Sequence, residues 1–230
     1  MQNITFQLSN LHLYGPAFFD FLRLRKRFFV DGLGWDIPHD ADLEMDQYDN
    51  PTAHYSLVLR NGQVVGGART TPTNAQWGSH TYMLRDAYEG KLGDIPPEVM
   101  VGHVASPRVW ECTRLVISDS LTTQAERSEC LWLIVNGLVH EAEMGGAEEM
   151  ISLSPLSLVR ALRQLGFAAS RIGEPYRNRG DGRRYAVLSM PARPAIPVPA
   201  LAAVAARATA TGPGAGAHRS HPAPVHAPAL

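Results

Sequence analysis

Apolar and polar positions change period several times along the chain. Ile4 to Leu8 alternates apolar and polar residues, the period-two mark of a strand. From Ala17 to Val30, the residues Phe18, Phe21, Leu22, Leu24, Phe28 and Phe29 recur at helical spacing, with Gly32 and Gly34 as the stop signal. His54 to Arg60 and Gln63 to Thr70 flank Asn61-Gly62, a pair that tolerates the positive φ of a type I′ turn, and predict a hairpin. Arg108 to Ile117 predicts a strand. Ser118-Asp119-Ser120 then offers caps for an amphipathic helix from Leu121 to Met144, which Gly145-Gly146 ends. Glu149 to Ser154 predicts a short strand and Pro155 to Leu165 a helix closed by Gly166. Phe167 to Ile172 and Arg184 to Met190 predict the last two strands. Helices alternating with strands after a hairpin predict an α/β fold, a mixed sheet with helices on both faces.

Between the first helix and the hairpin, Asp36 to Asn50 holds Asp36, Asp40, Asp42, Glu44, Asp46 and Asp49 and no Lys or Arg. Such self-repelling charge needs a cationic partner to become ordered. Residues 191–230 hold eight Pro, fourteen Ala, three Arg and no acid, too few large apolar groups to offset the entropy of ordering. The chain therefore divides into a body, residues 1–190, and an Ala/Pro-rich tail, residues 191–230, expected to be disordered. His218, His221 and His226 lie in that tail without an ordered scaffold, so no metal site is expected.

At 230 residues, 45% hydrophobic and 19% charged, the chain fits one ordinary globular domain and excludes a collagen-like or wholly disordered protein. The body carries 18 basic and 22 acidic side chains, which gives no general reason to expect nucleic-acid binding. Nineteen of the 21 bases are Arg, favouring forked recognition of carboxylate or phosphate. Two cysteines, Cys112 and Cys130, are too few for a disulfide framework or a thiolate zinc site, and a reducing compartment follows. Met1 to Leu8 has no signal-peptide pattern and no stretch approaches about 20 apolar residues. A cytoplasmic protein with no stable membrane insertion is expected.

Three clusters hold residue types that rarely serve packing alone: Arg25, Phe29 and Trp35; Asp46 and Asp49 with Arg69; and Glu111 with Arg114. At these spacings the sequence, from about Ile4 to Met190, resembles the acyl-homoserine-lactone synthases, the LuxI-type autoinducer enzymes of quorum sensing. The resemblance implies a GNAT-like acyltransferase fold, a mostly antiparallel sheet with a splayed, bulged central strand. It also implies that S-adenosylmethionine is N-acylated by an acyl thioester and then lactonised, releasing methylthioadenosine. Both molecules are substrates, and no recycled cofactor is expected. The tail lies outside the resemblance.

The residues suit that chemistry. Phe29 and Trp35 can present aromatic faces to a sulfonium or adenine, a contact worth about 0.5–2 kcal/mol, although Phe29 at its helical spacing reads first as core. Arg25, Arg69 and Arg114 can grip a carboxylate or be held by Asp46 and Asp49. Glu111 is the candidate general base, working through water. In a flat strand Glu111 and Arg114 point to opposite faces, so a shared role requires a bulge near Cys112 to Arg114. Leu115, Ile117, Leu131, Leu133, Leu138, Ile151, Leu153 and Leu156 are available for an acyl tunnel, and Ser152 or Ser154 stands where the family associates a small hydroxylated residue with oxo-acyl preference. Arg160, Arg163, Arg177 and Arg179 belong to a basic zone suited to docking an acidic acyl carrier protein or the phosphates of coenzyme A. Acyl length and the choice of donor are left open. The rival readings are a coenzyme A-dependent N-acetyltransferase, suggested by Arg177-Asn178-Arg179-Gly180-Asp181-Gly182, and a non-catalytic sensor of S-adenosylmethionine or an acyl chain. The expected place of that Gly-rich segment before a strand favours a simple turn over a phosphate loop.

Overall fold

The computed structural model describes residues 1–100 and 102–195; the tail beyond residue 195, with its three histidines, lies outside the described residues. The chain opens with β1 (Gln2–Gln7), followed by a 3-10 turn, Leu8–Tyr14, and α1 (Ala17–Arg25). A π-helical segment, Lys26–Gly32, prolongs α1, so the single helix expected to Val30 changes its winding at Lys26. The hairpin forms as expected from β2 (His54–Arg60) and β3 (Gln63–Pro72), with Asn61 at φ 52° and Gly62 at φ 78°.

A short α2 (Met83–Tyr88) follows, then β4 (Val109–Ile117), α3 (Gln124–Met144), β5 (Glu149–Pro155) and α4 (Ser157–Gln164). Two-residue strands β6 (Ser170–Arg171) and β7 (Tyr176–Arg177) precede β8 (Arg184–Pro191). The sheet order is β1-β2-β3-β4-β5-β8-β6, with β7 also on β8. Pairing is antiparallel throughout except for the parallel contact of β4 with β5.

Two expectations are corrected. α3 starts at Gln124 rather than Leu121, and its cap is Thr123 rather than Ser118, Asp119 or Ser120. Only Thr123 has an acid three residues on, so Glu126 completes a capping box, while the Ser118 and Ser120 hydroxyls bond each other at 2.9 Å. The strand expected over Phe167 to Ile172 shrinks to Ser170–Arg171. The Phe167 N–H is taken by Leu162 O and the Ala169 carbonyl by Arg163 Nε, both closing the end of α4.

Helices cover both faces. A Cβ at Gly66 would meet Cys130 and Ile134 of α3, whereas one at the next residue, Gly67, would meet Phe21 of α1. Adjacent strand residues face opposite ways, so α1 and α3 sandwich the sheet. The α3 core holds Ala68, Leu131, Leu138 and Met150; the α1 core holds Phe21, Leu22, Tyr55 and Val116.

Two irregularities interrupt this frame. Gly67 pairs with Val116 but Arg69 with Thr113, so β4 carries one extra residue at the bulge expected there. Arg114 takes up the excess at φ 58°. Past the bulge the parity of β4 reverses: Cys112 faces the α3 core, and so do Leu115 and Ile117. Second, β4 and β5 pair only from Val109–Glu149 to Glu111–Ile151 and then part. The splayed α/β sheet expected from the sequence is the observed one. Among the described residues no helix is long and apolar enough to cross a membrane.

Candidate active site

A cavity of about 1140 Å³ occupies the gap where β4 and β5 separate. It passes through the sheet, and its two sides differ. On the α1 side its wall includes Phe28, Phe29, Trp35, Asp46, Tyr48, Met83 and Lys91; on the α3 side it includes Cys112, Leu131, Val135, Leu138, Met150, Leu162 and Met190. One chamber is aromatic and charged, the other apolar. Strand alternation divides the expected acyl-lining residues between them: Leu115, Ser152 and Ser154 face α3, while Ile151 and Leu153 face the other side. Ser152 and Ser154 hydroxyls lie 3.0 Å apart. Of the other tunnel candidates, Ile117, Leu131 and Leu138 line the cavity, whereas Leu133 is core and Leu156 borders a separate shallow groove on α4.

Beside the polar chamber the acidic stretch finds the cations it needs. Arg25 is fully buried, its Nε donating to Glu44 at 2.5 Å and its two terminal nitrogens to Asp49 at 2.8 and 2.9 Å. Arg69, also fully buried, donates from Nη1 to Asp46 at 2.6 Å and from Nε to the Thr113 hydroxyl at 3.1 Å. Arg114 bridges Glu44 at 3.2 Å and Asp46 at 2.8 Å. Tyr55 donates its hydroxyl to Asp49 at 3.0 Å. Three guanidinium groups thus meet three carboxylates, and each carries multiple hydrogen bonds, which is what burial of charge demands. Burial by itself would raise the Asp46 pKa, but the charges of Arg69 and Arg114 outweigh it and hold the carboxyl well below its ordinary range. For Asp49, Arg69 and Arg25 likewise prevail over burial.

Glu44 appeared in the sequence only as one of six carboxylates. Three arginines against Asp46 and Asp49 call for one more carboxylate, but a charge count does not say which of Asp36, Asp40, Asp42 and Glu44 supplies it. Asp46 and Asp49 share no helix, but a single turn, closed by the Asp49 N–H to Asp46 O at 3.0 Å, aims both at the arginines. Tyr48 between them places its ring 5.7 Å from the Arg69 guanidinium carbon and donates its hydroxyl to buried Asp86 at 3.0 Å. Asp86, Tyr48 and Tyr55 carried no sequence signal: Tyr48 and Asp86 stand 38 residues apart, and Tyr55 meets Asp49 only when β2 and the acidic turn pack together.

The bulge sets the geometry of Arg114. A non-glycine residue at positive φ is disfavoured by about 1–3 kcal/mol, and the two ion pairs hold it there. Arg114 alone of the three arginines lines the cavity, with its guanidinium carbon 5.5 Å from the Phe29 ring centroid. Phe29 is core, as its spacing predicted, and also cavity wall: it stacks on Trp35 with centroids 5.0 Å apart. Phe29 lies in the π-helical segment and Trp35 just beyond it, where the Trp35 N–H bonds back to Phe29 O at 3.0 Å after the turn of Gly34, at φ 68°.

Glu111 is buried behind this wall. One carboxylate oxygen accepts the Met83 N–H and the other the Leu84 N–H, each at 2.8 Å, so Glu111 starts α2. Burial pushes its pKa up to about 7 against the lowering effect of those two N–H groups and of Arg69. Glu111, Arg25, Asp49 and Arg69 do not border the cavity; Asp46, Arg114, Phe29 and Trp35 do. Burial also pushes the Cys112 thiol up to about 12, far from a nucleophile's range.

The four expected docking arginines separate. Arg177 and Arg179 stand at the cavity mouth with Arg183, whereas Arg160 and Arg163 border the groove on the outer side of α4. Arg177 to Gly182 joins β7 to β8 as a turn, with Asn178 N–H on Arg183 O at 2.9 Å. No helix opens there, which removes the ground for a phosphate loop.

A family model described as Autoinducer synthase matches residues 12–193. The acyl-homoserine-lactone synthase of Ralstonia solanacearum is 32% identical over 197 residues, 77% of this chain and 89% of that protein. That of Acinetobacter nosocomialis is 31% identical over 161 residues, 67% of this chain and 82% of that protein. Among solved structures, TofI in a ternary complex with an inhibitor and MTA is 26% identical, with a TM-score of 0.67 over 89% of this chain and 97% of that one. The coenzyme A-dependent acyl-homoserine lactone synthase BjaI, at 18% identity and a TM-score of 0.68 over 90% of this chain and 89% of that one, shares the fold.

Proposed function

The chain belongs to the autoinducer synthase family and is an acyltransferase of the acyl-homoserine-lactone synthase kind, and from that premise we propose how its two chambers divide the reaction. S-adenosylmethionine occupies the polar chamber, its sulfonium or adenine against Phe29 and Trp35 and its carboxylate toward Arg114. The acyl chain of the thioester lies on the α3 side among Leu115, Ser152, Ser154 and Leu131, with Ile151 and Leu153 flanking the passage. The carrying observation is the single cavity that crosses the sheet where β4 and β5 part, since it lets two unlike substrates meet at the bulge.

The amine nitrogen attacks the thioester carbonyl carbon and its proton passes through water to Glu111, whose pKa of about 7 suits a base at neutral pH. The C–S bond of the thioester breaks and the thiolate leaves, taking back through water the proton held at Glu111 to depart as the thiol. The substrate's own carboxylate oxygen then attacks the carbon beside the sulfonium, that C–S bond breaks, and neutral methylthioadenosine departs, the molecule abbreviated MTA in the TofI complex. Arg25, Asp49 and Arg69 act through Asp46 and Arg114 by fixing their positions. Arg177 and Arg179 at the mouth, with Arg160 and Arg163 on α4, receive the donor, either an acidic acyl carrier protein or an acyl-coenzyme A. Both substrates are intracellular metabolites, so the proposed site of action is the cytoplasm.

Incubation of the purified chain with S-adenosylmethionine and matched acyl-carrier-protein or acyl-coenzyme A donors tests the reading. Mass spectrometry should find one N-acyl-homoserine lactone per methylthioadenosine released. Acyl transfer to other amines without S-adenosylmethionine, or binding without methylthioadenosine release, would refute it in favour of the N-acetyltransferase or the sensor.

A further inference from the structure

Trp35 is not itself part of a regular element: it follows Gly34, at φ 68°, and belongs to neither helix nor strand. Phe29 packs on one side of it, and its other surroundings come from the far end of the sequence. Trp35 Nε1–H donates to Asp181 Oδ2 at 3.2 Å, across 146 residues of chain. The Tyr185 hydroxyl donates to that same oxygen at 2.6 Å, and the Arg183 N–H donates to Asp181 Oδ1 at 2.9 Å. The Tyr185 ring lies 6.0 Å from the indole. Asp181 is itself fixed, because its N–H and that of Gly180 both donate to the Asn178 side chain, at 3.2 and 2.7 Å.

An indole has one donor and no acceptor, so this hydrogen bond is the only polar constraint its ring can have. Aromatic stacking on Phe29 restrains tilt, but it leaves the ring free to slide and turn in its plane. The carboxylate removes that freedom. Burial raises the proton affinity of Asp181, but hydrogen bonds from Tyr185, Arg183 and Trp35 overcome it and hold the carboxyl below its ordinary range. It is therefore anionic at neutral pH, the stronger acceptor.

We propose that Asp181, at the tip of the β7–β8 turn, is a positioning residue for catalysis. It pins the Trp35 indole against Phe29 and thereby sets the wall of the polar chamber, coupling that chamber to the arginine-bearing turn at the mouth. The proposal deepens the synthase reading and rests on it for the identity of the substrate held by Trp35.

The test uses the full chain as wild type, Asp181→Ala, Asp181→Asn, Trp35→Phe and the Asp181→Ala/Trp35→Phe double variant. Asp181→Ala should raise KM for S-adenosylmethionine roughly 3- to 10-fold, the worth of about one hydrogen bond, while kcat changes less. In the Trp35→Phe background, which has no indole N–H, the same substitution should add little, a non-additivity that a merely structural turn residue would not produce. With indole-nitrogen labelling, the Trp35 N–H resonance, assigned by its loss in Trp35→Phe, should move and exchange faster with solvent in both Asp181 variants. Asp181→Asn preserves the bulk of the side chain and guards against a folding defect in the alanine variant. An unmoved Trp35 resonance, a kcat loss with KM unchanged, or an equal KM increase in both backgrounds would overturn the proposal. Absence of methylthioadenosine release by the wild type would instead sink the synthase reading, while the indole resonance would still decide whether Asp181 holds Trp35.

Discussion

Glu111→Gln separates the effect of burial from the effect of hydrogen bonding on one carboxylate. In the folded chain the pKa of Glu111 is about 7, against 4.5 for an ordinary Glu. The native state then holds a proton that the unfolded state has released between about pH 4.5 and pH 7, so stability falls as pH rises through that window. At about 1.4 kcal/mol per pKa unit the fall attributable to Glu111 is about 3 kcal/mol, complete above pH ~7. Gln cannot titrate. It keeps one acceptor for the Met83 and Leu84 N–H groups and turns an NH₂ toward the other, much as the protonated acid turns its O–H, so wild type should stand highest relative to Gln at low pH and fall relative to it as pH rises. Urea denaturation of both proteins from about pH 5 to pH 8 should show wild type losing about 3 kcal/mol relative to Glu111→Gln. Asp46 and Asp49 do not confuse the result: their arginine partners keep them ionised until the pH falls below the ordinary carboxylate range, where the stability they add is lost. A difference independent of pH, or one that moves in wild type's favour as pH rises, would mean that the two N–H groups outweigh burial and that the argument is wrong. Turnover gives a second reading. The wild-type rate should rise along an acid limb centred near pH 7, and Glu111→Gln should lower it roughly 10²- to 10⁴-fold; near-normal turnover would remove Glu111 from proton transfer.

Arg114→Ala and Arg114→Gly both lose the ion pairs to Glu44 and Asp46, yet the glycine variant should be more stable by about 1 kcal/mol in denaturant melts, because only glycine adopts φ 58° without strain. Arg69→Ala should destabilise the fold by about 3–5 kcal/mol, because Glu44, Asp46 and Asp49 would then share only Arg25 and Arg114 and one buried negative charge would go uncompensated. In Asp46→Asn the uncompensated charge falls on Arg69 and Arg114, and calorimetry should find it similarly impaired. Charge reversal at the mouth, Arg177→Glu with Arg179→Glu, should raise KM for the acyl donor and flatten its dependence on ionic strength while leaving KM for S-adenosylmethionine near its wild-type value.

Much of the frame was legible in the chain. The hairpin at Asn61-Gly62, the strands around Glu111 and Ile151, and the long helix ending at Gly145 follow from local periodicity and turn chemistry. The bulge was legible for a subtler reason: Glu111 and Arg114 are an odd number of residues apart, and a shared side requires one extra residue in the strand. Residues 73–107 gave little, and α2 within them is six residues long and begins where Glu111, 28 residues away from Met83, supplies its first acceptors.

The sequence by itself determined the local conformations, the family spacing of Arg25, Phe29, Trp35, Asp46, Asp49, Arg69, Glu111 and Arg114, and the need of the acidic stretch for cations. Only the tertiary structure decided which carboxylate neutralises which arginine, that Glu44 completes the set, that Arg114 alone of the three arginines reaches the cavity, and that Asp181 meets Trp35. Backbone dihedrals and side-chain periodicity act over a few residues and leave their mark in order. Coulombic pairing and burial act through space, and their partners become neighbours only when the sheet has brought distant segments together.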